Sequence, residues 1–552
     1  MTFPSSIRPA VGQALINKVS RLFNGTISDV LHELFQNARR AGASAIHVAL
    51  RKSPDGAILS ILDDGCGIDD PATLLTLGDS DWHDGIVSRE DPAGMGVFSL
   101  AGHDVRVRSS STLSQQGWEV HIPVDGWQGA KPLAIGPAAI SAGTEIEILL
   151  PPAWETQLPM ALHKAAQYFP LPVYFGDVEL ARADFLAEAA YVDTWEGCRI
   201  GVYHGGTNDD LAAPRINFHG VTVGCPLPFV SETGRLLNWR VRVDIVDAPA
   251  LQLVLPARKE MVENDALTRL RVAVEAAIFR AIARAPSHRL AYKAWLRAAE
   301  LGVILPEADQ ILNAWVPSTA DNAGVTVGAA IRSGPRMLMP DQEPDIEQAL
   351  ACALRTVWPV GGRPVRAEPA FEGYSWYDAL PRVVGCAFRF QRGDASYCYK
   401  ADSELPPELE SGAVDSLVAE LAILPNGDVA PSAEVYELPA DMLACNSMTY
   451  SVEEAIILFG RHADVQPGAL ASLIFASLFC AADDGDCDSW ETQAHEFEQQ
   501  ARHLANQLLL GEDEALLARL REAVHENVQW LIPKGRGLSL TVRENELTLA
   551  LH

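Results

Sequence analysis

Between Val30 and Gly67 the hydrophobic period changes from that of a helix to that of a strand, and this leaves the segment few ways to fold. At about 100° per residue, Val30, Leu31, Leu34, Phe35, Ala38 and Ala41 share one wide apolar arc. The stretch "VLHELFQNARRA" therefore predicts an amphipathic helix, with Gly42 placed to end it. The following "AIHVALRK" alternates, which sends Ile46, Val48 and Leu50 inward from a strand. After the turn "SPDG", a second strand, "AILSIL", delivers "DDGCGID" at its end. Glu33, Asn37 and Arg40 lie together along the edge of the helical arc, where they form either a solvated helix edge or the polar border of a cavity.

A strand ending in an acid and then Gly-x-Gly suits close approach of the backbone to a flat ligand, with the carboxylate held at the end of a packed sheet. A second glycine cluster, "EDPAGMGVFSLAG", places Gly94 and Gly96 before an apolar helical start at Val97. Helix N-termini preceded by glycines offer unpaired N–H groups to phosphate. A third element, "SAGTEIEILL", opens a strand with Gly143-Thr144.

The ordered set Glu33-x-x-x-Asn37, Asp63-x-Gly65-x-Gly67, Gly94-x-Gly96 and Gly143-Thr144 resembles the GHKL ATPases. These are the superfamily of DNA gyrase B, the ninety-kilodalton heat-shock chaperone, histidine kinases and MutL. "ELFQNARRAGASAIHV" and "DDGCGI" look most like its MutL and MORC side, and "GMGVFSLAG" like the heat-shock chaperone. The resemblance implies ATP and Mg²⁺ as ligands. It makes Glu33 the general base that orients water and Asn37 the Mg²⁺ ligand, since a carboxylate suits the first role and a neutral hard oxygen the second. It implies nucleotide contacts from Asn37, Arg40 and Ala41, from Asp63, Gly65, Gly67 and Ile68, and from Gly94, Met95, Gly96, Val97, Phe98 and Thr144. Asp63 would accept the adenine amino proton. Several relatives carry an acid at the position of Arg40, which leaves Arg40 as a phosphate contact or as a partner for Glu33. Residues 71 to 93, with Trp82 and His83, would form a lid over the nucleotide.

By the same resemblance the chain is expected to be α+β, with a Bergerat-type α/β sandwich ATPase domain over 1–165 and a transducer-like α+β domain over 166–300. In the second, the loop "VLPARKEMVEND" makes Lys259 and Arg258 the candidates for reaching the γ-phosphate. Residues 301–369 are read as a helical, Pro- and Gly-rich connector. Residues 370–552 are read as a mixed α/β C-terminal region with a hairpin turning on Asn426-Gly427. A length of 552 residues requires several such cores.

Formal charge is −29, from 72 acids against 43 Lys and Arg, so nucleic acid is a disfavoured partner. Nine scattered cysteines without C-x-x-C fit reduced packing thiols, and the absence of a long apolar run or signal-like N-terminus predicts a cytoplasmic protein without a membrane partner. Two acidic stretches carry no site. "DQEPDIE" has Glu343 where the MutL endonuclease motif has His and Cys352 where its second Glu falls, and "DDGDCDSWE" puts Gly485 and Cys487 at calcium-ligand positions. The expected function is a homodimeric, ATP-driven clamp on a protein client. A nucleic-acid clamp and an ATP sensor with little turnover are the alternatives.

Overall fold

The structure, a computed structural model, describes residues 26–75, 96–113, 116–128, 132–205, 215–236, 238–254, 260–322, 326–355, 357–425, 432–445, 452–482, 488–544 and 546–552. It is a mixed α+β protein, and its chain divides into two compact units, Met1–Pro306 and Glu307–His552.

Helix α1 (Ile27–Arg40) starts with a capping box. The Thr26 hydroxyl accepts the Asp29 N–H, and the Asp29 carboxylate accepts the Thr26 N–H at 2.8 Å. It ends as its sequence suggests. Gly42 takes φ +71°, its N–H reaches the Arg39 carbonyl at 3.0 Å, and the Ala43 N–H reaches that of Ala38 at 3.1 Å, a Schellman closure. The chain then enters β1 (Ile46–Ser53), which pairs along its whole length with β2 (Gly56–Asp63). Further strands are β3 (Val105–Ser110), β4 (Gly117–Ile122), β5 (Ile135–Pro137) and β6 (Gly143–Leu150). After helix α2 (Pro152–Gln167) come β7 (Val173–Phe175) and β8 (Val178–Glu179).

These strands form one sheet in the order β5-β4-β3-β6-β2-β1-β7-β8. One face packs on α1 and α2 through Val30, Leu34, Phe35, Leu59, Val107 and Ile148. The other carries ion pairs of Glu147 with Arg51 and Arg108, at 2.9 and 3.0 Å. The sheet runs past the expected boundary at 165, because β7 lies parallel to β1, with Ile46 opposite Val173. Burial along β1 ends at Val48, so Leu50, expected to point into the core, lies past it and is 37% exposed.

The rest of the first unit is a second sheet, β9 (Tyr191–Trp195), β10 (Cys198–His204), β11 (Ile216–Phe218), β12 (Val221–Val223), β13 (Val230–Ser231) and β14 (Asn238–Ile245). Its main order is β12-β11-β14-β10-β9. Helix α3 (Asp265–Ile282) buries Leu267, Leu270, Val274 and Ile278 in the core it shares with this sheet, and α4 (Tyr292–Glu300) follows.

In the second unit β15 (Leu312–Asn313) pairs with β16 (Ala330–Ile331). Strands β17 (Arg336–Met339) and β18 (Arg363–Arg366) join β19 (Arg382–Arg392), β20 (Ala395–Tyr399), β22 (Ser416–Leu424) and β23 (Glu434–Pro439) in one sheet. Residues 336–366 therefore belong to this sheet, not to a separate connector, and Met337, Met339, Ile346 and Leu350 are in its core. A smaller sheet has the order β21-β25-β24, from β21 (Gly412–Val414), β24 (Met442–Cys445) and β25 (Ile456–Gly460). The β22–β23 pairing includes Ile423 opposite Glu434, and Asn426 and Gly427 lie outside the described residues. The helices are α5 (Pro344–Ala353), α6 (Pro467–Leu478), α7 (Trp490–Leu510) and α8 (Glu512–Asn527), before a final hairpin of β26 (Leu538–Arg543) and β27 (Glu546–Leu551). Among the described residues no helix is long and apolar enough to cross a membrane.

Two glycines separate backbone strain from steric overlap. Gly42 and Gly143 both have positive φ, but a Cβ at Gly42 meets open space while one at Gly143 overlaps the Asp63 carbonyl. Gly42→Ala should cost about 1 kcal/mol. Gly143→Ala should cost ~3 kcal/mol or more, because backbone must move. Urea unfolding of the two variants measures the difference, and equal midpoints would contradict it.

Candidate functional site

The end of β2 is where the first unit concentrates polar backbone and side-chain groups. Leaving Asp63, the chain turns through Asp64-Gly65-Cys66-Gly67 and is held on three sides. The Cys66 N–H donates to the Ala41 carbonyl at the end of α1 at 2.8 Å, and the Thr112 N–H donates to the Cys66 carbonyl at 2.9 Å. The Gly65 N–H donates back to Asp63 Oδ1 at 2.9 Å. A Cβ at Gly65 would sit 2.6 Å from that of Ala41, and one at Gly67 would overlap the Ser110 carbonyl, so both positions need the missing side chain.

Thr144 stands opposite both Asp63 and Ser109 in the sheet. Its hydroxyl is buried and lies 2.9 Å from Ser109 Oγ, which also donates to the Gly143 carbonyl and accepts the Ile68 N–H at 2.9 Å. Trp118 Nε1 fixes the Ile68 carbonyl at 3.0 Å. Ser109, absent from the sequence-derived set, thus joins two of its elements. No spacing signal marks it, because its role depends on a neighbouring strand.

The paired acids Asp63 and Asp64 are driven in opposite directions. Burial raises the Asp63 pKa from 3.8 to about 6, opposed by the Gly65 N–H, reinforced by the charge of Asp64 and opposed again by the Thr144 N–H. For Asp64, partial desolvation is outweighed by hydrogen bonds from the Ser44 hydroxyl and the Ser44 and Ala45 N–H groups, which hold its carboxyl below the ordinary value. Asp64 therefore fastens the α1–β1 loop to the end of β2. Asp63 is held half-buried where its charge is unfavourable, which makes it a candidate site residue.

Helix α1 runs away from this junction carrying Arg40, Asn37 and Glu33, at about 1.5 Å of rise per residue. All three are half-buried. Arg40 Nη1 donates to Asn37 Oδ1 at 3.3 Å, so the cation rests on the amide oxygen that the sequence singles out as a metal ligand. The short turn Gly96–Leu100 packs on α1, with Phe98 buried against Trp127 and Val97 at the edge of the core. The Phe98 side chain therefore serves packing. Gly94, Met95, Trp82, His83, Arg258 and Lys259 lie outside the described residues.

A further residue of α1 links the site to the second sheet. Gln36 is 1% exposed, and its Nε2 donates to the His219 carbonyl at 2.6 Å, at the turn between β11 and β12. Among the described residues no cluster of three His, Cys, Asp or Glu groups is placed to hold a metal ion. No protein-family model matches the chain, and no curated protein sequence matches it at a significant level.

The raised pKa of Asp63 fixes the sign of a pH effect. Between pH 3.8 and about 6 the folded protein holds a proton that the unfolded chain has lost, so this group's contribution to stability falls as pH rises through that window. Asp63→Asn, free of ligand, should be more stable than the parent above pH 6, by about 3 kcal/mol at most. The gain should vanish below about pH 4. Denaturant unfolding at several pH values checks this, and a variant less stable at pH 7.5 would contradict it.

Proposed function

We propose that the protein is a Mg²⁺-dependent ATPase of the GHKL type, with a Bergerat-type N-terminal domain whose nucleotide state drives a homodimeric clamp on a protein client. The observation that carries this reading is the interlocked junction of Ala41, Asp63 to Gly67 and Gly143-Thr144 at the foot of the helix bearing Asn37 and Glu33. Three segments apart in sequence supply it, in the order of their sequence motifs.

The residues fit a nucleotide's base end. Asp63 offers a half-buried acceptor to an exocyclic amine, and Gly65, where a Cβ would strike Ala41, lets the turn close on the end of α1. Binding would favour the ionised carboxylate and so draw its pKa down. Farther along α1, Asn37 is suited to Mg²⁺ by its neutral hard oxygen, and Mg²⁺ when bound would neutralise phosphate charge. Arg40 must first leave Asn37 Oδ1. Glu33, one helical turn farther on, would orient the attacking water and take its proton. The Gln36 contact with His219 supports coupling between this helix and the second sheet. The net charge of −29 supports a protein client over nucleic acid.

Titration of the full chain with Mg²⁺ and ATP, alongside phosphate-release assays, tests the assignment. Glu33→Ala should keep ATP affinity while turnover falls by about 10² to 10⁴. Asp63→Asn should lose affinity despite its added stability, a pairing that a purely structural carboxyl would not give. No nucleotide binding by the folded parent, or parental turnover in Glu33→Ala, would sink the proposal.

Arg40 supplies an independent check. If its guanidinium competes with the metal for Asn37, Arg40→Ala should lower the Mg²⁺ concentration for half-maximal ATP binding several-fold. A raised requirement, measured by the same titration across Mg²⁺ concentrations, would assign Arg40 to phosphate instead.

A further inference from the structure

Where the two sheets of the first unit meet there is a cavity of about 470 Å³, lined by none of Glu33, Asn37 or Asp63. The last turn of α1 brings Arg39 to it, and Arg39 Nε donates to Gln36 Oε1 at 3.4 Å. Half-buried Tyr168, at the end of α2, and buried Phe185 meet edge to face at 5.1 Å and give the cavity an aromatic wall. The lining from β10, β11 and β14 is polar. Asn217 Nδ2 donates to Asp244 Oδ1 at 2.7 Å, and Arg199 Nη1 donates to Asp244 Oδ2 and Asp184 Oδ1, at 3.3 Å each. Both aspartates are thus engaged within the lining, while Arg39 and Arg182 bring two further cations to it in a chain whose charge is −29. Arg182 is paired with Glu179 at 3.2 Å, but their side chains are 38% and 45% exposed. A bridge so exposed contributes little, so this guanidinium can turn to a bound anion. His219 also lines the cavity, with φ +51°, and non-glycine residues held in that region cluster at ligand clamps.

We propose that this cavity binds a small organic anion built on a flat ring, an aryl phosphate or an aryl carboxylate, with its charged head on the arginines and its ring against the aromatic wall. A guanidinium presents a planar fork of N–H donors that matches two oxygens of either head group. The apolar and aromatic part of the lining takes the body of the ligand, as in small-molecule sites of this size. A cationic ligand is the poorer occupant, because Arg199 and Asn217 already hold the two carboxylates it would need. The inference stands apart from the nucleotide reading, since the residues assigned to the nucleotide's base, metal and water are not in its walls.

The test is calorimetric titration of the full chain, without nucleotide or Mg²⁺, with phenyl phosphate, with benzoate and with uncharged benzyl alcohol. At least one of the two anions should bind one to one, the tighter of them naming the head group, and benzyl alcohol should bind at least tenfold more weakly. Arg39→Gln should weaken the anion by about tenfold or more, the loss expected for a hydrogen bond to a charged group. Ala183→Trp, which puts a large ring at an exposed position of the lining, should abolish binding. Hydrogen exchange on the unaltered parent keeps the test independent of how the variants fold. The bound anion should protect amides of residues 168–171 and 216–220. Binding of neither anion, equal binding of benzyl alcohol, parental affinity in Arg39→Gln or Ala183→Trp, or protection confined to other segments would each overturn the proposal.

Discussion

The hydrogen bond from the Cys66 amide to the Ala41 carbonyl is short in reach but sets much of the first unit's polar architecture. It joins the end of a helix to the end of a strand more than twenty residues later, and so fixes where α1 stops relative to the sheet. The orphan carbonyls at the helix C-terminus are thereby satisfied by the Schellman closure on one side and the glycine turn on the other. The pinned turn aims the Gly65 N–H at the Asp63 carboxylate, which offsets part of its desolvation. The unfavourable carboxylate and the well-satisfied backbone around it are parts of one arrangement, with rigidity in the second maintaining strain in the first.

Much of this arrangement was legible in the sequence because it depends on local periodicity. The switch from period 3.6 to period 2 between Ala41 and Ile46 gives α1, β1 and β2, and Gly42 ends the helix as its position suggests. Partners distant in the chain were not legible. Strand β7 carries no mark that it will lie beside β1, and the exposure of Leu50 follows from where the core under β1 ends. In residues 336–366 the prolines and glycines suggest a connector, yet Pro335 and Pro340 flank the fully buried β17, and Gly361-Gly362 lead into β18. Those residues mark strand ends.

The site divides in the same way. Glu33, Asn37, Arg40 and Asp63 are visible as polar interruptions at fixed places in apolar patterns. Ser109 and Gln36 are not, because each acts on residues from another strand or sheet. Gln36 is three positions from Glu33 on the same helix, but its carbonyl partner is 183 residues away. The roles of Asp63 and Asp64 separate only when Ser44 is seen to claim one carboxylate and desolvation to dominate the other.

The Gln36 contact also has a mechanical meaning. His219 takes φ +51° without being a glycine, a left-handed conformation that costs on the order of 1 kcal/mol or more. Its carbonyl is held in that turn by the Gln36 amide, so the strained bend and the helix are braced against each other like a sprung catch and its keeper. Any rotation of α1 that withdraws the amide would cost the His219 carbonyl this hydrogen bond. The strained turn of the second sheet is thus tied through a side chain to the helix that covers the first.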